Sequence, residues 1–497
     1  MTKWDKEADI VIVGLGGAGG CCAIEAADAG LKVIVLEADK VPGGNTRLSG
    51  GTLRVFLDAE GAFQYYRHVF DETVKDELIH RMVDVSMDMH DWFREKCDCD
   101  FRESSQKPFP PAPNTVWPWL PGADALAGRM QFVPKGGENR GKDHRMNGGY
   151  NLWTCMQDGL DKRADKIETL METRGRELIQ NAKGDVIGIK ATTADGSEIN
   201  IRAKKGVALT CGGFGRNNEM MINYLSMPIP SEGTKCQYGD GLTMTQRIGA
   251  KMWHMTGLSC TIAYDVPEHE EQIGANYYAA NYLYIDQKGK RFLDEGGTDV
   301  HAMGFDFTQC VAKEMSYPRF PSWLIFDEHV RKAGGIIGHC PGIIQEDPTF
   351  PGWSDDNMAE IEKGWIKMGY SLKELGEKCG FPEGVLEAAV GRYNMAAISG
   401  YDPDFGRETL KMGPVTEAPF YAIQVYPSLL NTQGGPQHDE YGRVLDLDEN
   451  PIGHLFAAGE LGSIVNKFYP GGTNITEAVA MGRFIGGYVA TLEDTEE

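Results

Sequence analysis

The sequence contains no apolar run long enough to cross a bilayer, and its first residues, MTKWDKEAD, lack the basic-then-apolar layout of a secretory leader. Basic charge is also scarce: 49 Lys and Arg stand against 72 Asp and Glu, a formal charge of −23. That balance opposes phosphate backbones and anionic membranes, so nucleic acid is not an expected partner. The eleven cysteines show neither C-x-x-C nor C-x-x-C-H spacing. Structural zinc, iron–sulfur clusters, attached haem and a disulfide framework are therefore not expected; no metal is, and the thiols should stay reduced in a cytoplasmic protein. Internal repeats and low-complexity tracts are missing too.

What the chain does have is a dinucleotide-binding βαβ pattern between Ala8 and Glu37. Ile10 to Val13 form the apolar run of a strand buried on both faces. Gly14, Gly16 and Gly19 follow at G-x-G-x-x-G spacing: the first for the tight turn, the second for backbone approach to a pyrophosphate, the third for helix-to-strand packing. The next helix aims its N-terminal amides at phosphates. Val33 to Leu36 make the second strand, and Glu37 stands where a carboxylate accepts from ribose hydroxyls and repels a 2′-phosphate. A second glycine-rich segment, Gly43 to Gly51, comes at once after it. Two glycine loops in one frame suit a long cofactor, and favour FAD over NAD.

At 497 residues the chain should hold two or three domains. The spacing predicts helices over 71–97 and 148–163, and a strand meander over 167–208 with turns at Gly184 and Gly196. It ends in a buried strand and a glycine pair, Gly212 and Gly213, and Asp240 opens a further helix. Residues 103–149 are rich in Pro, Gly, Asn and Trp, which is loop chemistry; Trp117 and Trp119 there suit either a ring-shaped substrate or a plug between domains. Beyond Lys251 aromatic residues thicken, as in an inserted second domain. Leu455 to Glu460 reads as one more buried strand, followed by the loop Tyr469 to Asn474 and a helix from about Ile475 to Ala490.

Four segments together resemble the FAD-binding family of fumarate reductase flavoproteins, 3-ketosteroid dehydrogenases and related carbon–carbon desaturases: the N-terminal fingerprint, GGNTRLSGG, ALTCGGFGRN and AAGELGSIVNKFYPGGTNITEAVAMGRFIGG. IDQKGKRFLDE and SWLIFDEHVRK are similar to the family's capping domain. The resemblance implies an α/β fold, a Rossmann-like FAD-binding domain (1–250 and 411–497) with an inserted α+β capping domain (251–410). It implies FAD contacts at Gly14, Gly16, Gly17, Ala18 and Gly19, at Glu37 and Ala38, and at Gly44, Asn45, Thr46, Ser49, Gly50 and Gly51. Cys211, Gly212, Gly213 and Asp240 belong to the same cradle, as do Gly459, Glu460, Asn474 and Ile475. GGNTRLSGG has no histidine to tether the flavin, so FAD should be non-covalent.

Departures from the fumarate reductase pattern narrow the chemistry. Where that pattern has His before Thr-x-Gly-Gly this chain has Asn431, where it has Arg near the C-terminus it has Tyr469, and the proton-donating Arg is replaced by Asp299. A site stripped of these cations should not hold a dicarboxylate. Tyr-Pro-Gly at 469–471 is similar to 3-ketosteroid dehydrogenases, whose tyrosine helps activate a carbonyl. The resemblance thus implies hydride exchange between flavin N5 and the carbon β to a carbonyl, with Tyr469 and the Gly472 amide on the enolate oxygen. Tyr282 or Tyr278 is the expected acid/base, with Asp299 and His301 as rivals; Asn431, Gly472 and Trp117 are expected at the substrate. An unsaturated carboxylate remains an alternative, with Arg47, Arg291 or Lys467 supplying charge, and a non-catalytic electron-transfer flavoprotein is a third. The expected partners are a small-molecule substrate and an unidentified electron donor or acceptor.

Overall fold

A computed structural model describes residues 2–103, 117–138, 148–269, 271–297, 299–337 and 342–496. The expected βαβ unit is present: strand Lys6–Val13, helix Gly17–Asp28 and strand Val33–Leu36. Residues Ile10 to Ile12 are fully buried because the strand lies mid-sheet, paired in parallel with Val33–Leu36 on one side and Glu198–Leu209 on the other. The full order is Arg443–Leu445, Pro451–Ala457, Glu198–Leu209, Lys6–Val13, Val33–Leu36, Ile167–Leu170. The meander strands Arg174–Gln180 and Val186–Thr192 pair antiparallel onto Glu198–Leu209. The glycine pattern does its expected steric work. A Cβ on Gly14 (φ +100°) would overlap the Cys211 backbone, one on Gly19 would overlap the Gly14 carbonyl, and one on Gly16 would meet nothing nearer than 3.8 Å.

The C-terminal helix Thr473–Ala490 closes this unit by lying against Gly17–Asp28. Gly482 and Gly486 make the approach possible, since a Cβ at either would overlap the backbone at Ala18 or Cys22. Both ends of the chain therefore meet at one place.

A six-stranded antiparallel sheet forms the second unit, in the order Gln272–Gly274, Leu258–Asp265, Phe420–Thr432, Ser322–Asp327, Tyr282–Ile285, with Lys367–Gly369 also on Phe420–Thr432. This corrects the expected boundary at 410. Phe420–Thr432 is the middle strand of the capping sheet, so the return to the first unit comes after Thr432. The cap's core holds an ion network: Glu295 and Asp402, both with buried side chains, bind Arg291 at 2.7 and 3.1 Å, and Arg407 reaches Glu295 at 3.3 Å.

A third, small ribbon falls where a loop was expected. Strand Leu126–Val133 pairs with Thr52–Phe56 and with Asp100–Glu103. The rest of the expected loop divides into turns at 117–125, while 104–116 and 139–147 lie outside the described residues.

Candidate active site

The segments expected to cradle the cofactor present backbone amides and buried acids. Glu37 accepts from the Leu15 amide (2.9 Å) and the Asp39 amide (2.8 Å), and burial raises its pKa. Thr46 Oγ1 accepts from the Gly17 amide at 2.9 Å, which ties the second glycine segment to the first; Ser49 Oγ receives the Gly51 amide at 3.0 Å. Glu460 sits between strands and loops, accepting from Asn45 (3.1 Å), Gln237 (2.6 Å) and the Thr432 amide (3.1 Å). Its burial pushes the carboxyl up to about 7. Gly213 leaves room for this group, because a Cβ there would overlap Thr432 Oγ1 and crowd Glu460 Oε1. Gly212 (φ +73°) and Gly459 (φ +79°) take left-handed backbone, and Cys211, beside them, has a thiol that burial pushes up to about 12. Among the expected contacts, Asp240 is ion-paired with Arg174 at 2.9 Å. Ala18 lines the crossing of the two helices, Ala38 and Gly44 lie part-buried beside the first cradle, and Ile475 packs on the core below the C-terminal helix. A dinucleotide fits such a donor set. The open face above Gly16, a helix N-terminus behind it and an acid at Glu37 are what a pyrophosphate and a ribose require.

At the other end of the cradle lies the loop before the C-terminal helix. Tyr469 is nine-tenths buried, and its hydroxyl accepts from the Gly472 amide at 2.7 Å. The expectation set the two side by side on one substrate oxygen; the structure puts them in series. The amide holds the hydroxyl oxygen, so the phenolic hydrogen is left for another acceptor. His301 meets the Tyr469 ring edge-on at 4.7 Å, and Asp299 Oδ1 lies 3.1 Å from His301 Nδ1. Asn431 receives Asn474 Nδ2 at 3.0 Å, which links the middle cap strand to the start of the C-terminal helix. Trp117 (φ +55°) packs edge-on against Phe468, next to Tyr469 in the chain. Trp119 is exposed.

The two tyrosines expected as acid/base are placed elsewhere. Tyr282 is buried in the cap's own core, with Arg407 over its ring at 4.7 Å and its hydroxyl on the Glu295 carbonyl at 3.4 Å. Tyr278 is half exposed beside Gly334. Packing explains the aromatic density there: Tyr264, Tyr277, Tyr282 and Tyr284 share one cluster. The three cations named for a carboxylate are not at Tyr469 either. Arg47 is ion-paired with Glu346, Arg291 is held in the cap network, and Lys467 is exposed.

Two arginines that the sequence reading missed do reach the site. Arg54 and Arg129 stand directly opposite each other on the small ribbon. Arg129 lies against the tyrosine loop, within 3.3 Å (Nη1) of where a Gly471 Cβ would sit and 3.2 Å (Cδ) of one on Gly472. Burial raises the Tyr469 pKa, while the Gly472 amide, Arg129 and Arg54 oppose the rise. The three positions that hold cations in the family pattern still carry none, and these two arginines bring positive charge to the tyrosine loop from the ribbon instead.

Residues 9–475 match the FAD binding domain family, and the chain belongs to that family. It is 28% identical over 581 residues to 3-oxosteroid 1-dehydrogenase of Mycolicibacterium smegmatis, covering 98% of this chain and 97% of that one. Similarity to digoxin reductase of Eggerthella lenta is also 28%, over 549 residues, covering 100% and 89%. NADH:fumarate oxidoreductase of Klebsiella pneumoniae is 27% identical over 98% of this chain, which spans only 48% of that relative. Among solved structures, the fold is similar to 3-ketosteroid Δ1-dehydrogenase from Sterolibacterium denitrificans, with a TM-score of 0.82 at 21% identity over 98% of this chain and 99% of that one. A flavocytochrome c3 fumarate reductase follows at 0.69 and 22%, covering 98% and 78%. These likenesses bear out the α/β fold with its capping unit. Among the described residues no helix is long and apolar enough to cross a membrane.

Proposed function

We propose that this chain is an FAD-dependent oxidoreductase that desaturates or reduces the carbon–carbon bond α,β to a carbonyl, with a cyclic ketone or enone as substrate. The observation that carries this reading is the Tyr469 hydroxyl, buried and held through its oxygen by the Gly472 amide. Such a hydroxyl donates to one acceptor, and the acceptor that needs it is the carbonyl oxygen during enolisation. The flavin, bound without a covalent tether, supplies hydride acceptance or return at N5. His301 moves the α proton; Asp299 on Nδ1 fixes the tautomer and leaves Nε2 toward the substrate. Asn431, at the rim between cap and helix, positions the substrate's polar edge, and Trp117 with Phe468 walls its apolar face. A separate electron donor or acceptor closes the cycle.

A second reading, reduction of an unsaturated carboxylate, is favoured by Arg54 and Arg129. The two separate on one experiment, incubation of a cyclic ketone with holoenzyme in D2O. Enzyme-dependent exchange of the α hydrogens, lost in both Tyr469→Phe and His301→Gln, supports the ketone reading. Absence of exchange, with oxidation of the reduced flavin by unsaturated carboxylates alone, replaces it with the second.

A further inference from the structure

Like charges directly opposite on neighbouring antiparallel strands are destabilising, yet the ribbon sets Arg54 against Arg129. Arg54 is only 2% exposed, and its backbone amide is fixed by Thr476 Oγ1 at 3.0 Å, so its position is set by the C-terminal helix. Thr476 in turn donates to the Gly472 carbonyl at 2.9 Å, which couples the ribbon to the tyrosine loop. Arg129 has no hydrogen-bond or ion-pair partner among the described residues, although most arginines of this acidic chain do. Gly471 lies between Arg129 Nη1 and the His301 ring, whose Cε1 is 3.7 Å from the position a Gly471 Cβ would take. Asp299, the nearby acid, is spent on His301. A guanidinium without a counter-charge, beside a second one and against a buried phenol, is a site built for an anionic oxygen.

We propose that Arg129, backed by Arg54, is a further oxyanion-stabilising residue: it places positive charge at the substrate oxygen that Tyr469 addresses, so the site binds a conjugated oxyanion, an enolate or phenolate, in preference to the neutral carbonyl. This rests on the carbonyl reading above. The charge on that oxygen develops as the α proton leaves, so the contribution of Arg129 falls on the transition state and on kcat. A substrate already ionised, such as a carboxylate, would feel Arg129 in the ground state, and KM would carry the loss instead.

The test is equilibrium titration of oxidised holoenzyme with 4-nitrophenolate, above its pKa, and with the neutral 4-nitroanisole, alongside ketone kinetics. The expected result is that Arg129→Gln weakens nitrophenolate binding by about tenfold or more, the scale of one lost charge-assisted hydrogen bond, and leaves nitroanisole unchanged. Arg129→Lys should restore part of the loss, and kcat for the ketone should fall with KM held. Unchanged nitrophenolate affinity with an altered flavin spectrum or flavin loss would overturn the proposal, since the guanidinium then faces the cofactor. A rise in KM alone would overturn it too. Tyr469→Phe keeps the two ideas apart: if it turns over ketone normally, the carbonyl reading falls, whatever Arg129 does to nitrophenolate.

Discussion

Replacing Tyr469 by Phe removes one hydroxyl and leaves the ring in its contact with His301. The loop should hold its shape, because the Thr473 amide still donates to the Pro470 carbonyl at 3.0 Å and Thr476 Oγ1 to the Gly472 carbonyl at 2.9 Å. Two losses follow. The Gly472 amide loses its 2.7 Å acceptor inside the protein, which costs about 1–3 kcal/mol of stability and shows as a lowered Tm. The developing enolate loses its donor, which costs about 2.7–4 kcal/mol in the barrier, or roughly two to three orders of magnitude in rate. Stopped-flow absorbance of flavin reduction by a saturated cyclic ketone, at saturating substrate, reads the second loss free of the first. FAD content should equal that of the wild type, since Tyr469 lies beyond the glycine cradle. A rate within about threefold of wild type, with full flavin, refutes carbonyl activation by this residue.

Other outcomes follow from the buried charges. Glu37→Ala leaves the Leu15 and Asp39 amides without their acceptor and removes the proposed ribose partner, so flavin should leave on gel filtration while the substrate profile of reconstituted enzyme is unchanged. Glu295→Gln takes the carboxylate from Arg407 and one of two from Arg291, which keeps Asp402, and should destabilise the protein by about 3–5 kcal/mol in urea unfolding. Burial holds Glu477 up at about 8, with Ser463 Oγ and the Ile464 amide donating to it. The folded state thus keeps a proton that the unfolded chain releases near its ordinary value of 4.5. This contribution to stability is complete below that value and is lost as pH rises through about 8, so Tm should fall across that window and Glu477→Gln should flatten the fall.

The cofactor half of the site was legible because its signals are local. An apolar run, three glycines and an acid lie within thirty residues, and the strand and the glycines take the places their spacing implies. The proposed substrate half draws on segments far apart in the chain, and local pattern failed there for identifiable reasons. Leu126–Val133, LAGRMQFV, has a glycine inside it and a Pro- and Trp-rich stretch before it, so it reads as loop, and Arg129 went unseen with it. The one available signal lay in its partner strand, TLRVF, where Arg54 stands between Leu53 and Val55 in a strand that is buried almost throughout, the arginine included. Phe420–Thr432 contains Pro427, which argues against a central strand; the ladder tolerates it because Pro427 pairs with Ile262 on one side and lies beyond Val425, where the pairing with Ser322–Asp327 ends. The aromatic cluster around Tyr282 was read as chemistry because periodicity cannot separate a packed core from a pocket wall.

The most direct measurement is an anaerobic titration of the holoenzyme followed by flavin absorbance, with a panel of saturated cyclic ketones added to the oxidised enzyme, and cyclic enones and unsaturated carboxylates to the reduced enzyme. Bleaching by ketones or reoxidation by enones, with no response to carboxylates, is the predicted result. A flavin that responds to unsaturated carboxylates and to no cyclic ketone or enone contradicts the account.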